Sequence, residues 1–153
     1  TRDSGDIAIV DLAAFALDKR IKTAAKPTQL VDLPGTPYFL AVTSEGDIQE
    51  IDTTKDIITR NSPVRIRSGD LWLSHDAATL WALSPDARRL LALSRTSLAV
   101  QREWKLDRAA THLAVSPESP HVAISYEGTD QISLLASPQQ ATLTQASTTK
   151  TTD

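Results

Sequence analysis

Few side chains in this chain could do chemistry, and their spacing limits what they could do. There are three histidines, His75, His112 and His121, and no cysteine. Without thiols there is no disulfide, no thiol nucleophile and no cysteine-ligated metal. The histidines lack H-x-x-x-H spacing, so they read as surface or turn residues rather than as a metal site. Ser74, His75 and Asp76 supply the residue types of a hydrolase triad. Neighbours on one turn, however, do not converge in space as nucleophile, base and orienting acid, and no G-x-S-x-G elbow is present. Asp6, Asp11, Asp47 and Asp52 form two pairs 41 residues apart. Such carboxylates could offer oxygen ligands to Ca²⁺, or they could cap turns and close strands, which is the preferred reading. No catalytic residue, cofactor-binding residue or metal ligand is assigned on this basis, and no cofactor is implied.

Charge points to a different kind of site. The net charge is −3, yet nine of the sixteen Lys and Arg fall between residues 60 and 108. A basic middle between acidic flanks can steer a partner. Arg65, Arg67, His75, Arg88 and Arg89 are the candidate partner-binding residues, with Arg88 and Arg89 on a turn where they could meet an acidic loop. Trp104 is the only aromatic among the last of these cations, whereas a surface for single-stranded nucleic acid interleaves several rings with its charges. With a pI near 5.6, nucleic acid is not an expected partner.

The 153 residues are 41% hydrophobic and 23% charged, which suits one soluble globular domain with a real core. No apolar run reaches the roughly 18–20 residues that span a bilayer, so no membrane span is expected. The chain opens on Thr1 without a signal-peptide pattern, which reads as the loss of an initiator methionine or of a longer precursor.

The elements that must position these residues repeat. Tyr38–Asp52 is a short apolar run, a polar turn and an alternating run, and it recurs at Leu80–Ser94 and Val122–Ser137. The turn positions Gly46, Ala87 and Thr129 lie 41 and 42 residues apart. A period of about 40–45 residues is the length of one four-stranded propeller blade. The runs FLAV, LWAL and VAIS are nearly continuous and apolar, as in strands covered on both faces. Pro-Gly-Thr-Pro, His-Asp-Ala-Ala and Pro-Glu-Ser-Pro fall at matching turns. Ser-Glu-Gly, Ser-Pro-Asp and Tyr-Glu-Gly fall at the next ones, with the residue types that preset turn dihedrals or cap them. The fourth strands carry Arg60, Arg102, Glu103 and Lys105, as a solvated outer edge should. The map is a half-blade at residues 5–24, blades at 28–61, 69–106 and 111–145, and a disordered polar tail at 146–153. Ala13–Ala16 has helical propensity, but a hairpin turn fits the repeat better. Trp72, Trp81 and Trp104 are assigned to packing, and Phe39, Trp81 and Val122 to equivalent places in three successive sheets.

Ala82–Leu93 (ALSPDARRLLAL), Ala114–Ser125 (AVSPESPHVAIS) and Ile7–Leu12 (IAIVDL) carry a resemblance to β-propellers of the WD-repeat and YVTN type, although the Gly-His and Trp-Asp dipeptides of WD repeats are absent. The implied fold class is all-β, a partial β-propeller of four-stranded antiparallel blades; a β-sandwich or small barrel is the alternative. Three and a half blades do not close a ring, since propellers have about 4–8. The resemblance therefore implies a protein partner supplying further blades, a homo-oligomer, or a further segment, with the half-blade completed by strand addition. The function expected is a non-catalytic protein–protein interaction or scaffold module. The alternatives are a YVTN-like enzyme or cofactor-binding propeller with its site partly on other blades, and a carbohydrate- or surface-binding module.

Overall fold

The computed structural model describes residues 5–136 and 144–147. Among them there are fourteen strands and no helix, so none that is long and apolar enough to cross a membrane. The strands form one two-stranded sheet followed by three four-stranded sheets, each antiparallel and each in chain order. The two-stranded sheet pairs β1 (Asp6–Asp11) with β2 (Ala16–Lys22). Sheet 1 comprises β3 (Pro27–Asp32), β4 (Tyr38–Thr43), β5 (Ile48–Asp52) and β6 (Ile57–Asn61). Sheet 2 comprises β7 (Leu71–Leu73), β8 (Thr79–Leu83), β9 (Arg89–Ser94) and β10 (Val100–Lys105). Sheet 3 comprises β11 (Ala110–Val115), β12 (Val122–Tyr126), β13 (Gln131–Leu135) and β14 (Thr144–Ser147). The chain turns at Ala13–Phe15 rather than coiling into a helix. Strand β14 takes in Ala146 and Ser147, which the sequence assigned to a tail; residues 148–153 of that tail, and 141–143 of the expected last strand, lie outside the described residues.

Antiparallel pairing fixes where the turns go. Connections from first to second and from third to fourth strand emerge at one end of the sheets, here called the lower end. Connections from second to third strand, and those between sheets, emerge at the upper end. The sheets meet along their first strands, β3 against β7, and β11 against both β7 and β8. The side chain of Gln29 in β3 both donates to the carbonyl of Leu71 in β7 (2.8 Å) and accepts from its N–H (3.0 Å), so one amide stands in for a strand partner across two sheets. The sheets thus fan outward from their first strands.

Three apolar layers lie between the sheets. Ile7, Ile9 and Ile21 of the two-stranded sheet meet Ala41 and Ile51 of sheet 1. Leu40, Val42 and Ile48 of sheet 1 meet Leu80, Ala82, Leu91 and Leu93 of sheet 2. Trp81, Leu83, Leu90 and Ala92 of sheet 2 meet Leu113, Val122, Ile124 and Leu135 of sheet 3. Each second and third strand alternates between the layer before it and the layer after it, which is why these strands read as unbroken apolar runs.

That alternation corrects one equivalence. Phe39, Trp81 and Val122 all sit on second strands, but Trp81 faces forward, packed in the layer toward sheet 3. The backward-facing counterparts are Phe39, Leu80 and Val122. The connection between second and third strand is one residue longer in sheet 2 than in sheet 1: Leu40 pairs with Glu50, ten residues on, but Trp81 pairs with Ala92, eleven on. A one-residue offset moves a side chain to the other face.

The turns repeat more faithfully than the residues in them. At the lower end, Asp11 accepts from the N–H groups of Ala13 and Ala14, Asp52 from Thr54 and Lys55, and the Ser94 hydroxyl from Thr96 and Ser97. Each turn then passes through a left-handed residue: Phe15, Asp56 or Leu98. The two-stranded sheet therefore matches the third and fourth strands of a blade. At the upper end, Gly46 (φ +83°) is held by the Ile66 N–H donating to its carbonyl at 3.0 Å, and a Cβ there would lie 2.1 Å from the Ile66 carbonyl oxygen.

Candidate functional site

The five residues assigned to partner binding are divided by the fold. Arg65 and Arg67 lie on the connection from sheet 1 to sheet 2, Arg88 on the turn before β9 and Arg89 at the start of β9, all at the upper end. His75 lies on the turn between β7 and β8, at the lower end, so it cannot join them in one surface. Several of the arginines are also engaged within the chain. Arg65 pairs with Asp47 through Nε (3.0 Å), and Arg89 with Glu103 (3.3 Å). Arg67 is a strap: its Nη1 donates to the carbonyl of Ala110 at the start of sheet 3 (2.7 Å), and its Nε meets Asp70 at 3.1 Å. Burial pushes the Asp70 carboxyl above its ordinary range, opposed by the charges of Arg67 and His112. Arg88 projects into solvent.

Ser74, His75 and Asp76 make a turn cap rather than a triad. Ser74 donates directly to Asp76 Oδ1 at 2.5 Å, leaving the imidazole outside the pair. Ser84 and Asp86 repeat the arrangement at the upper end. The serine hydroxyl is the main cause holding each of these aspartates below the ordinary carboxylate range, helped by the N–H of Ala78 or Arg88. Asp52 is lowered in the same way, first by the Thr54 hydroxyl at 2.6 Å. Asp47 is claimed by Arg65. Among the described residues, no three His, Cys, Asp or Glu side chains gather as a metal ion would require. His112 is exposed on β11, and His121 shares a 2.8 Å hydrogen bond between Nδ1 and Ser119 Oγ at the lower end.

Two of the three tryptophans pack as expected. Trp81 and Trp104 are buried with ring centroids 5.6 Å apart, and the Arg102 guanidinium lies 5.3 Å over the Trp104 ring. Trp72 differs: it is 41% exposed on β7, a first strand of the fan.

The chemistry that the sequence reading did not find lies between sheets 1 and 2. An open cleft of about 520 Å³ is lined by Leu33, Thr36, Tyr38, Glu50, Thr59, Arg60, Arg95 and Thr96. Glu50, on β5, faces forward into the apolar layer. Its counterparts at this position in the other sheets are Ile9, Ala92 and Leu134, so a carboxylate stands where the repeat otherwise places an apolar side chain. It accepts from the Thr59 hydroxyl (2.7 Å) and is paired with Arg60, its cross-strand neighbour on β6. Arg95 enters the same cleft from the lower-end turn of sheet 2, donating to the carbonyls of Ala77 (3.0 Å) and Pro34 (3.2 Å). One carboxylate thus faces two guanidinium groups, and the Nε of Arg60 is buried without a hydrogen-bond partner. The signal that could have revealed this cleft was Glu50 itself, polar at a position the repeat keeps apolar.

No protein-family model matches the chain, and no curated protein matches it. Solved structures do. The chain is similar to Kuenenia stuttgartiensis hydrazine synthase at 11% identity and a TM-score of 0.67, covering 85% of this chain and 39% of that one. It is also similar to the dihydro-heme d1 dehydrogenase NirN, solved in complex with DHE, at 13% identity and a TM-score of 0.74, covering 98% of this chain and 34% of that one. The chain thus spans between a third and two fifths of the length of these solved chains. At such identities the likeness is one of fold. It supports a propeller-like architecture without singling out the WD-repeat family. Both proteins are enzymes by name, which overturns the expectation of a module without catalysis. The conclusion reached from fold and comparison together is an all-β structure of four-stranded antiparallel propeller blades.

Proposed function

We propose that this chain is a portion of an enzymatic or cofactor-binding propeller of the YVTN-like kind, whose reacting groups stand partly on blades beyond these residues. The observation that carries the proposal is the similarity over 98% of the chain to a part of NirN, an enzyme solved with a bound ligand. The uncovered faces at both ends of the sheet array support it. The third strand β5 is buried throughout, whereas its counterpart β1 exposes Ala8, Val10 and Asp11. At the other end, the forward-facing Ala123, Ile132 and Leu134 are half-buried, whereas their counterparts Trp81, Leu90 and Ala92 are buried. Apolar faces of this sort are what a neighbouring blade covers. Among the described residues no further strand pairs with the outer edge of β1, and that edge suits completion by two strands of another blade.

The test is to isolate the natural polypeptide or complex carrying this chain, measure its mass, and examine it by absorption spectroscopy and extraction for a bound prosthetic group. The expected result is a particle well above the 16.6 kDa of this chain, with further propeller sheets and either a bound cofactor or turnover. A particle containing this chain alone, with neither cofactor nor activity, would overturn the reading.

A further inference from the structure

We infer that the cleft between sheets 1 and 2 is a binding site for an oxyanion, a carboxylate or phosphate group on a small ligand, held by Arg60 and Arg95. Three observations carry this. First, at this position of the inter-sheet layer Glu50 stands where the other three sheets have the apolar side chains of Ile9, Ala92 and Leu134, and it is a buried ionisable group. A local rule broken at a loss of apolar packing marks a site with another task. Second, the charges do not balance within the cleft. Glu50 is committed to Arg60 and Thr59, while Arg95 finds only the neutral carbonyls of Ala77 and Pro34. Two planar guanidinium groups against one carboxylate leave a net positive charge in a partly enclosed space, and the buried Arg60 Nε leaves one donor unsatisfied. Guanidinium forks match the geometry of carboxylate and phosphate oxygens. Third, the cleft has room, about 520 Å³, and its walls add the side chains of Thr36, Tyr38 and Thr96 as further polar groups. Leu33 supplies an apolar wall for the remainder of a small ligand.

Glu50 then competes with the ligand for Arg60. It keeps the guanidinium in place while the cleft is empty, and it sets the affinity by its own pairing. This gives the proposal a signature that a purely structural ion pair lacks.

The experiment titrates the full chain with sodium phosphate, and separately with sodium succinate, at constant ionic strength, following backbone amide chemical shifts at Thr36, Arg60 and Thr96. A saturable response to one or both probes is expected, and which probe binds tighter separates phosphate from carboxylate. Arg95→Gln should weaken binding by about tenfold or more, the worth of one charge-assisted hydrogen bond, while Arg95→Lys should weaken it less. Glu50→Gln should tighten binding severalfold by releasing Arg60. The absence of a saturable response in the unaltered chain, or equal affinity in Arg95→Gln, would sink the proposal. If Arg95→Gln does not fold, the Glu50→Gln arm decides: unchanged or weaker binding there refutes the competition and the site with it.

Discussion

Asp52, Asp76 and Asp86 each spend their carboxylate on closing a turn, and their ordinary function in this molecule is to hold the chain's direction. Because the native turns lower their pKa, the stability they contribute is present above the unfolded aspartate value of about 3.9 and is lost as pH falls through the lower folded values. Thermal midpoints measured between pH 6 and pH 2.5 should therefore drop on the acid side. The drop should be shallower in Asp52→Asn/Asp86→Asn, which has two fewer such groups to protonate. Arg67 acts at the same scale but over a longer reach. Arg67→Gln removes the strap to Ala110 and leaves the partly desolvated Asp70 carboxylate without its cation. We expect a loss of about 1–3 kcal/mol in denaturant unfolding, in the range for leaving a buried polar group unsatisfied. The sequence placed Arg67 on a connecting loop and assigned it to a partner. Only the fold shows that it also binds within the chain, because the carbonyl it finds is 43 residues away.

At the scale of the element, strand and turn chemistry repeats while individual residues change, and two contrasts test this. Gly46 needs both a positive φ and the absence of a side chain, since the Ile66 carbonyl occupies the space a Cβ would take. Gly35 needs only the positive φ, with nothing within 4 Å. Gly46→Ala should cost at least about 2 kcal/mol and Gly35→Ala about 1 kcal/mol, read from denaturant midpoints. The second contrast reports which face of β4 is inward. Leu40 is fully buried in the layer toward sheet 2, whereas Phe39 is 37% exposed on the opposite face. Leu40→Ala should cost about 2–5 kcal/mol, and Phe39→Ala distinctly less. The near-continuous run FLAV announces a doubly covered strand but not which residue faces which neighbour. Lacking polar residues to break the symmetry, such a run has no period of its own, which is why Trp81 was matched to Phe39 and Val122 one residue out of step.

At the scale of the whole molecule, the fan of sheets ends on apolar surface. At the lower turn of the two-stranded sheet, Leu12 and Phe15 are 76% and 89% exposed, close to Val10 and Leu17, which are each 52% exposed. The isolated chain should associate at high concentration in light scattering. Leu12→Ser/Phe15→Ser should lessen that association without lowering the thermal midpoint, since neither side chain contributes to a buried layer. An unchanged tendency to associate in that variant would place the sticky surface elsewhere. The amino-acid sequence by itself determined the repeat length, the four-strand unit and the places of the turns. All of these are written in local patterns a few residues long. Tertiary structure alone decided the facing of each apolar side chain, the self-directed pairing of the arginines and the meeting of Glu50, Arg60 and Arg95 in one cleft. Those outcomes depend on how loop lengths add up from sheet to sheet and on contacts between residues as much as 61 positions apart, which no local pattern records.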